Sequence, residues 1–155
     1  MNRKKNNPFE EVGMAIGVGL LAGLAGTAAI TLSQMIEMKI TGRKPGTTPE
    51  QAVEKTLDIG AVSEEKKEKV SQEVHWVYGT AWGVSRGLMR LAGLKGWVAT
   101  LTHFSAVWGT SLVMLPALGL SRPVQEQEVK STLIDALHHA VYATATGLVV
   151  DAIEG

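Results

Sequence analysis

The longest uncharged stretch of the chain runs from Gly13 to Ile36 and limits what the chain can fold into. It contains no Asp, Glu, Lys, Arg or His, and acidic residues flank it at Glu11 and Glu37. A helix over this stretch would be roughly 36 Å long, enough to cross a hydrocarbon layer of about 30 Å. We therefore predict a first membrane-spanning helix over residues 13–36, retained rather than cleaved as a signal peptide.

Two motifs in the chain also occur in enzymes and nucleotide-binding proteins. Residues 17–22, GVGLLA, match the G-x-G-x-x-A dinucleotide fingerprint, and residues 83–87, GVSRG, match the G-x-S-x-G motif of hydrolases. Both motifs need a preceding strand, and the sequence offers no clean parallel-sheet strands. The same small residues stand at the i, i+4 spacing that lets helices pack closely in lipid. Helix packing is the favoured interpretation, and the chain is predicted not to be an enzyme.

Three further apolar segments follow, at about residues 74–91, 97–120 and 133–153. The polar segment 37–73 separates the first two spans. This segment is predicted to contain a short amphipathic helix over residues 49–59, whose start is indicated by Thr48, Pro49 and Gln51. Gly60 should end it, and Ser63 should cap the next helix. Pro116 should kink the third span. We predict one all-α domain over residues 1–155, an integral membrane four-helix bundle with up-down-up-down topology.

The composition excludes several classes of function. The chain has 155 residues, no net charge and no cysteine. Without a basic excess there is no electrostatic reason to expect nucleic acid as a partner. The absence of cysteine removes disulfides, thiolate metal sites and cysteine nucleophiles.

The second and fourth spans share a pattern. Residues 75–83, HWVYGTAWG, align without gaps on residues 139–147, HAVYATATG. The shared residues include His75 and Tyr78 in one copy and His139 and Tyr142 in the other. This similarity favours two helix pairs repeated in parallel orientation. Coincidence among Ala- and Gly-rich helices is the alternative.

The predicted topology sorts the polar and small residues into three groups. A candidate proton or ion site at one face contains Gln34, Glu37, His75, Tyr78, Asp135, His138, His139 and Tyr142. A second cluster, towards the opposite face, contains Arg86, Arg90, His103 and Asp151. The residues expected at helix contacts are Gly19, Gly23, Gly79, Gly83, Gly87 and Gly147.

Histidine chemistry gives the first group its functional interest. An imidazole titrates near pH 6.5, so His75 and His139 beside Asp135 would be able to relay protons or sense pH. The alternative is a structural role, in which these side chains form hydrogen bonds across helices. We expect no cofactor or metal, although haem between His75 and His139, or a metal held by them with Glu37 and Asp135, stays open.

Residues 115–123, LPALGLSRP, resemble the turn that ends a span in the YagU-like family of small inner-membrane proteins. A histidine that opens the next span, here His138 or His139, fits the same family. The resemblance implies a multi-span protein of the bacterial inner membrane with a suggested link to acid tolerance. The long charged loop 37–73 departs from the family pattern.

These observations predict a multi-pass membrane protein with a structural or accessory role. Its expected partners are the lipid bilayer and either a second copy of itself or another membrane protein. A small proton-linked transporter or pH-responsive channel that uses His75 and His139 is the alternative function.

Overall fold

The computed structural model describes residues 7–58, 60 and 63–155. These residues form five α-helices and one short 3-10 helix, with no strand among them. The helices are α1 (Pro8–Thr41), α2 (Thr48–Leu57), α3 (Glu64–Leu91), α4 (Gly96–Ala117) and α5 (Val129–Glu154), and the 3-10 turn is Val124–Glu126. The all-α prediction is confirmed for this part of the chain. Residues 17–22 lie in the middle of α1, so the dinucleotide interpretation, which needs a strand before the glycines, is wrong.

Among the described residues, three helices are long and apolar enough to cross a membrane. They are α1, α4 and α5, which correspond to the first, third and fourth predicted spans. The helix of the second predicted span, α3, is not among the three. It runs without a break from Glu64 to Leu91, and its first half carries the charged residues of the polar segment.

The first helix is longer than the uncharged run that predicted it. Its start is fixed by a capping box, in which the Asn7 side chain accepts from the Phe9 amide and Glu10 reaches back to the Asn7 amide. Pro8 stands at the first helical position, which its fixed backbone angle favours. The helix ends where Gly42 adopts a left-handed conformation with φ 72°.

The short helix α2 differs from its prediction at both ends. Thr47, not Thr48, precedes the first helical residue, and the Gln51 amide donates to its hydroxyl at 2.8 Å. Asp58, at φ 49°, ends the helix before Gly60, and the predicted last residue, Ile59, lies outside the described residues. Leu57, the last helical residue, is 63% exposed.

The fourth helix ends earlier than the predicted third span. Pro116 was expected to kink a span that continued to Leu120. Instead α4 stops at Ala117, one residue after the proline, and Gly119 turns the chain at φ 68°. A proline near a helix end removes one hydrogen bond without interrupting the helix body, so the helix terminates there rather than bending.

Helices α1 and α3 cross at a seam of glycines. A Cβ atom added to Gly19 would lie 2.7 Å from the Gly83 carbonyl oxygen, and one added to Gly23 would lie 2.9 Å from Gly83 Cα. Gly87 packs in the same way against the backbone of Ala15. Helix α5 closes on the other side, where Gly26 faces Tyr142 and Thr146. These close approaches bring α1, α3 and α5 together, and polar side chains of all three helices lie between them.

Candidate functional site

The interior of the bundle is unusually polar, and its outside is apolar. The largest fully buried side chains include Arg86, His103, Thr27 and Thr146. Many large apolar residues point outward, among them Leu21, Leu32, Leu101, Val113, Leu137 and Leu148, each at least 58% exposed. Because buried polar groups are costly unless they are hydrogen-bonded, their partners decide what the interior can do.

Two histidines connect neighbouring helices. The Nε2 atom of His75 lies 3.1 Å from the Thr31 hydroxyl, joining α3 to α1. The Nδ1 atom of His138 lies 2.8 Å from the Ser33 hydroxyl, joining α5 to α1. Sequence analysis missed both hydroxyl partners, although they are two of the few polar residues near the end of the uncharged run.

A third histidine pairs with an acid on its own helix. The Nδ1 atom of His139 lies 3.4 Å from an oxygen of the Asp135 carboxylate and 2.9 Å from the Asp135 carbonyl oxygen. The indole N–H of Trp108 on α4 donates to the other carboxylate oxygen at 2.9 Å. We call His75, Asp135, His138 and His139 the histidine end of the bundle.

The two tyrosines of the predicted repeat have different environments. The Tyr142 hydroxyl donates to the Gly79 carbonyl oxygen at 2.6 Å, and the residue is 2% exposed. Tyr78, its counterpart, is 43% exposed and packs edge-on against Trp82 at 6.1 Å between ring centres. Only Tyr142 of this pair lies inside the bundle.

His103 lies inside the bundle, between the residues around Tyr142 and those around Arg86. Its Nε2 atom lies 3.1 Å from the Trp82 carbonyl oxygen, and its ring is 5.6 Å from that of Tyr142. The other ring nitrogen is buried and has no hydrogen-bond partner in the described part of the chain. His103 was grouped with Arg86, Arg90 and Asp151; it interacts electrostatically with Arg86 and contacts Trp82 and Tyr142 directly.

Two ion pairs lie at the other end of the bundle. The Arg86 guanidinium, which is buried, donates to Asp151 at 2.8 Å, and Arg90 pairs with Glu154. We call these four residues the arginine end. Sequence analysis missed Glu154, although the spacing of the two arginines, four apart on α3, matches two acids three apart on α5.

Two further members of the first predicted group, Glu37 and Gln34, lie near the end of α1. Glu37 forms an ion pair with Arg43 at 2.8 Å and accepts from the Thr41 hydroxyl at 3.0 Å, and it also interacts electrostatically with His138. Gln34 is half-buried and takes no part in the hydrogen bonds of the described residues. Six of the eight predicted residues therefore form the polar contacts described here, and the two exceptions are Gln34 and the exposed Tyr78.

One buried acid lies away from both ends, on α2. Glu50 is fully buried, and its carboxyl group interacts with that of Glu54 on the same helix. Burial, and then the nearby Glu54 carboxylate, raise the pKa of Glu50 above its ordinary value of 4.5. Lys67 on α3, whose pKa is raised by its pairing with Glu64, acts in the opposite direction on Glu50.

Neither a metal site nor a hydrolase elbow is visible in these residues. No group of three or more His, Asp or Glu side chains within residues 7–58, 60 and 63–155 is arranged to hold a metal ion. Ser85 lies within α3 and donates to the Trp82 carbonyl oxygen at 2.7 Å, so the G-x-S-x-G motif forms helix rather than a strand-to-helix turn.

Comparison with known proteins gives no match, whether with family models, curated proteins or solved structures. The resemblance of residues 115–123 to the YagU-like turn therefore stays a prediction. What the chain does is inferred from its own residues and their arrangement.

Proposed function

We propose that the chain is an integral membrane protein, a four-helix bundle in which α1, α3, α4 and α5 cross the bilayer and α2 lies outside it. One observation carries this proposal: large apolar side chains cover the outside, while charged and hydroxyl side chains are buried inside. Water would penalise that arrangement, because apolar surface is stable in contact with lipid and not with water. The three long apolar helices support the same conclusion.

The helix α3 is included as a span for a structural reason. Its second half packs against α1 along the glycine seam, so it must occupy the same layer as α1. Its charged groups in that half are Arg86 and Arg90, and both are paired with acids of α5. Paired ionisable groups that face the bundle interior are the form in which such residues occur in membranes.

Within the membrane, we propose a structural or accessory role. Each of His75, His138 and Tyr142 forms a hydrogen bond to a neighbouring helix, as expected of groups that fix helix positions. The bacterial inner membrane is the proposed location, supported by the resemblance to the YagU-like family. The apolar outer faces leave room for association with a second copy or with another membrane protein.

Membrane insertion is tested by extraction and by thiol labelling. The chain has no cysteine, so single cysteines introduced at exposed apolar positions report their own environment. We expect the protein to stay in the membrane pellet at alkaline pH. Leu101→Cys and Leu148→Cys should resist a water-soluble maleimide, whereas Val129→Cys, at the start of α5, should react. Release of the protein by carbonate, or equal labelling at all three positions, would contradict the proposal.

Proton handling is the second candidate function, and the pair of His139 with Asp135 favours it. A histidine beside a carboxylate can exchange protons near neutral pH. The measurement is proton flux into proteoliposomes after a pH jump, for the wild type and the His75→Gln/His139→Gln variant. Flux that the double variant loses, while its helix content and assembly are unchanged, assigns the histidine end to conduction. Absence of flux in both proteins leaves the structural role.

A further inference from the structure

A cavity of about 250 Å³ opens at the arginine end of the bundle. It lies where the end of α3, the turn over residues 92–95 and the end of α5 meet. Its volume is several times the roughly 30 Å³ that one water molecule occupies in the liquid. The charged side chains that line it are Arg86, Arg90, Lys95, Asp151 and Glu154. The cavity is therefore large enough, and charged enough, to hold a small ion.

The arginines of this cavity have donors to spare. Each guanidinium carries five N–H donors, and the two described pairs, with Asp151 and Glu154, engage one nitrogen of each arginine. The Arg86 side chain is only 1% exposed. Its Nε atom is buried and has no hydrogen-bond partner in the described part of the chain. That atom lies beside Gly147, where an added Cβ would be 3.7 Å from it, so the donors available to a further acceptor in the cavity are the terminal guanidinium nitrogens that the two pairs leave free.

The balance of charge points to an anion. Three positive side chains line the cavity against two negative ones, because Lys95 adds a cation to the two ion pairs. Gly96, where α4 begins, also lines it, and Lys95 before it gives no side-chain cap to the helix. The first N–H groups of α4 and the positive end of its dipole are thus directed to the same region.

We propose that this cavity binds a phosphate group. Guanidinium groups match phosphate oxygens in their planar geometry, and a free lysine adds a point charge at the rim. The two carboxylates repel a doubly charged anion, so a phosphate with a single charge fits the net charge of the lining best. Two sources share this chemistry: the phosphodiester of an anionic lipid headgroup and free inorganic phosphate.

The position of the cavity suits a headgroup. Trp97, the residue after Gly96, is 70% exposed at the start of an apolar helix, where an interfacial tryptophan is expected. Lys95 is exposed beside it. The lipid source rests on the membrane location proposed above, whereas binding of inorganic phosphate does not.

The test compares the full-length wild type with Lys95→Gln and with Lys130→Gln in lipid nanodiscs. Lys130 is an exposed lysine in the first turn of α5, at the opposite end of that helix, so its variant removes the same charge outside the cavity. One set of discs contains phosphatidylcholine alone and the other an equal mixture with phosphatidylglycerol. Inorganic phosphate is added to the first set, with chloride at equal ionic strength as the control. The thermal midpoint is read from tryptophan fluorescence, because a ligand of the folded state raises it.

We expect the midpoint of the wild type and of Lys130→Gln to rise with phosphatidylglycerol, with phosphate, or with both, and Lys95→Gln to lose most of that rise. A rise with phosphatidylglycerol alone identifies the headgroup as the source, and a rise with phosphate identifies the free anion. The proposal is overturned by equal rises in wild type and Lys95→Gln, or by no rise with either ligand. Carbonate extraction of the same proteins separates a failed site from a failed membrane location.

Discussion

The glycines at the α1–α3 seam and Gly109 of α4 have opposite environments. At the seam, a Cβ on Gly19 or Gly23 would meet the backbone of α3 at under 3.0 Å. On the outside, a Cβ on Gly109 would have no atom within 4 Å. Both kinds of glycine cost the helix some stability, because glycine loses more backbone entropy than alanine on folding. Only the seam uses the missing side chain to bring two helices together.

The two environments show that the backbone contacts of the seam, and not the outer face, determine how the helices pack. A seam built from backbone contacts cannot adjust to an added atom, since neither helix can move without displacing the polar groups held between them. The outer face has no such constraint and is defined only by being apolar. Replacement of glycine by alanine should therefore lower the free energy of unfolding at the seam and raise it on the outer face.

The largest effect is expected for Gly83→Ala. Its methyl group would overlap the Gly19 carbonyl oxygen and Gly23 Cα, and both are backbone atoms. Overpacking of this kind costs about 1–3 kcal/mol, more than the about 0.5–1 kcal/mol that alanine adds to a helix. We expect a lower free energy of unfolding, measured in detergent micelles by circular dichroism.

Gly109→Ala is the matched control for that substitution. With no atom in reach of the new methyl group, only the helix preference acts, and we expect stabilisation by about 0.5–1 kcal/mol. If both variants changed the free energy of unfolding in the same direction, the helices would be less closely packed at the seam than the structure indicates.

The two tyrosines extend the comparison to polar groups. Tyr142→Phe removes a buried hydroxyl that donates to the Gly79 carbonyl oxygen at 2.6 Å, and we expect a loss of about 0.5–1.5 kcal/mol. Tyr78→Phe removes the corresponding hydroxyl of the predicted repeat from an exposed side chain, and we expect little change. Unfolding of both variants under the same conditions measures the difference. Equal losses would mean that the two copies have equivalent surroundings.

The sequence predicted the helices well and their contacts only in part. The uncharged run, the Ser63 boundary and the glycine spacings located α1, α3 and the seam, because helix periodicity and small residues are local signals. Arg86 and Asp151, which form an ion pair, were predicted to lie in one cluster. That prediction needed only the topology, because α3 and α5 run in the same direction and end at the same face. The partners Thr31 and Ser33 were missed, because rotation of a helix about its axis depends on packing that no single segment encodes.

The end of α4 shows the same limit at a boundary. Pro116 was expected to bend a longer helix, but the chain stops the helix there and turns at Gly119. A kink and a helix end are both compatible with a proline that has a glycine three residues later. Contacts with other segments of the chain decide between the two. Lys55 of α2 donates to the Leu118 carbonyl oxygen at 2.7 Å, a contact between distant segments that supports the turn.

The smallest effect is expected for the pH dependence of α2 docking, which depends on Glu50. Burial of Glu50 is compatible with stable docking only when its carboxyl group is protonated and neutral. Its pKa is raised by burial and by Glu54, with Glu64 adding to this and Lys67 opposing it. A raised pKa in the folded state means that docking of α2 binds a proton. The stability of that docking is therefore complete below the ordinary value of 4.5 and is lost as the pH rises through the raised pKa.

Labelling of a single cysteine measures this pH dependence. Ala52→Cys, half-buried on α2, should be protected from a thiol reagent at acidic pH and become more accessible as the pH rises, after correction for ionisation of the thiol. With Glu50→Gln added, which cannot ionise, the accessibility should be independent of pH. A pH dependence that persists in the double variant would assign it to another group, such as Glu54 or Glu64. A pH dependence confined to the protein that retains Glu50 would distinguish α2 from the seam, where Gly19, Gly23 and Gly83 contact neutral backbone atoms.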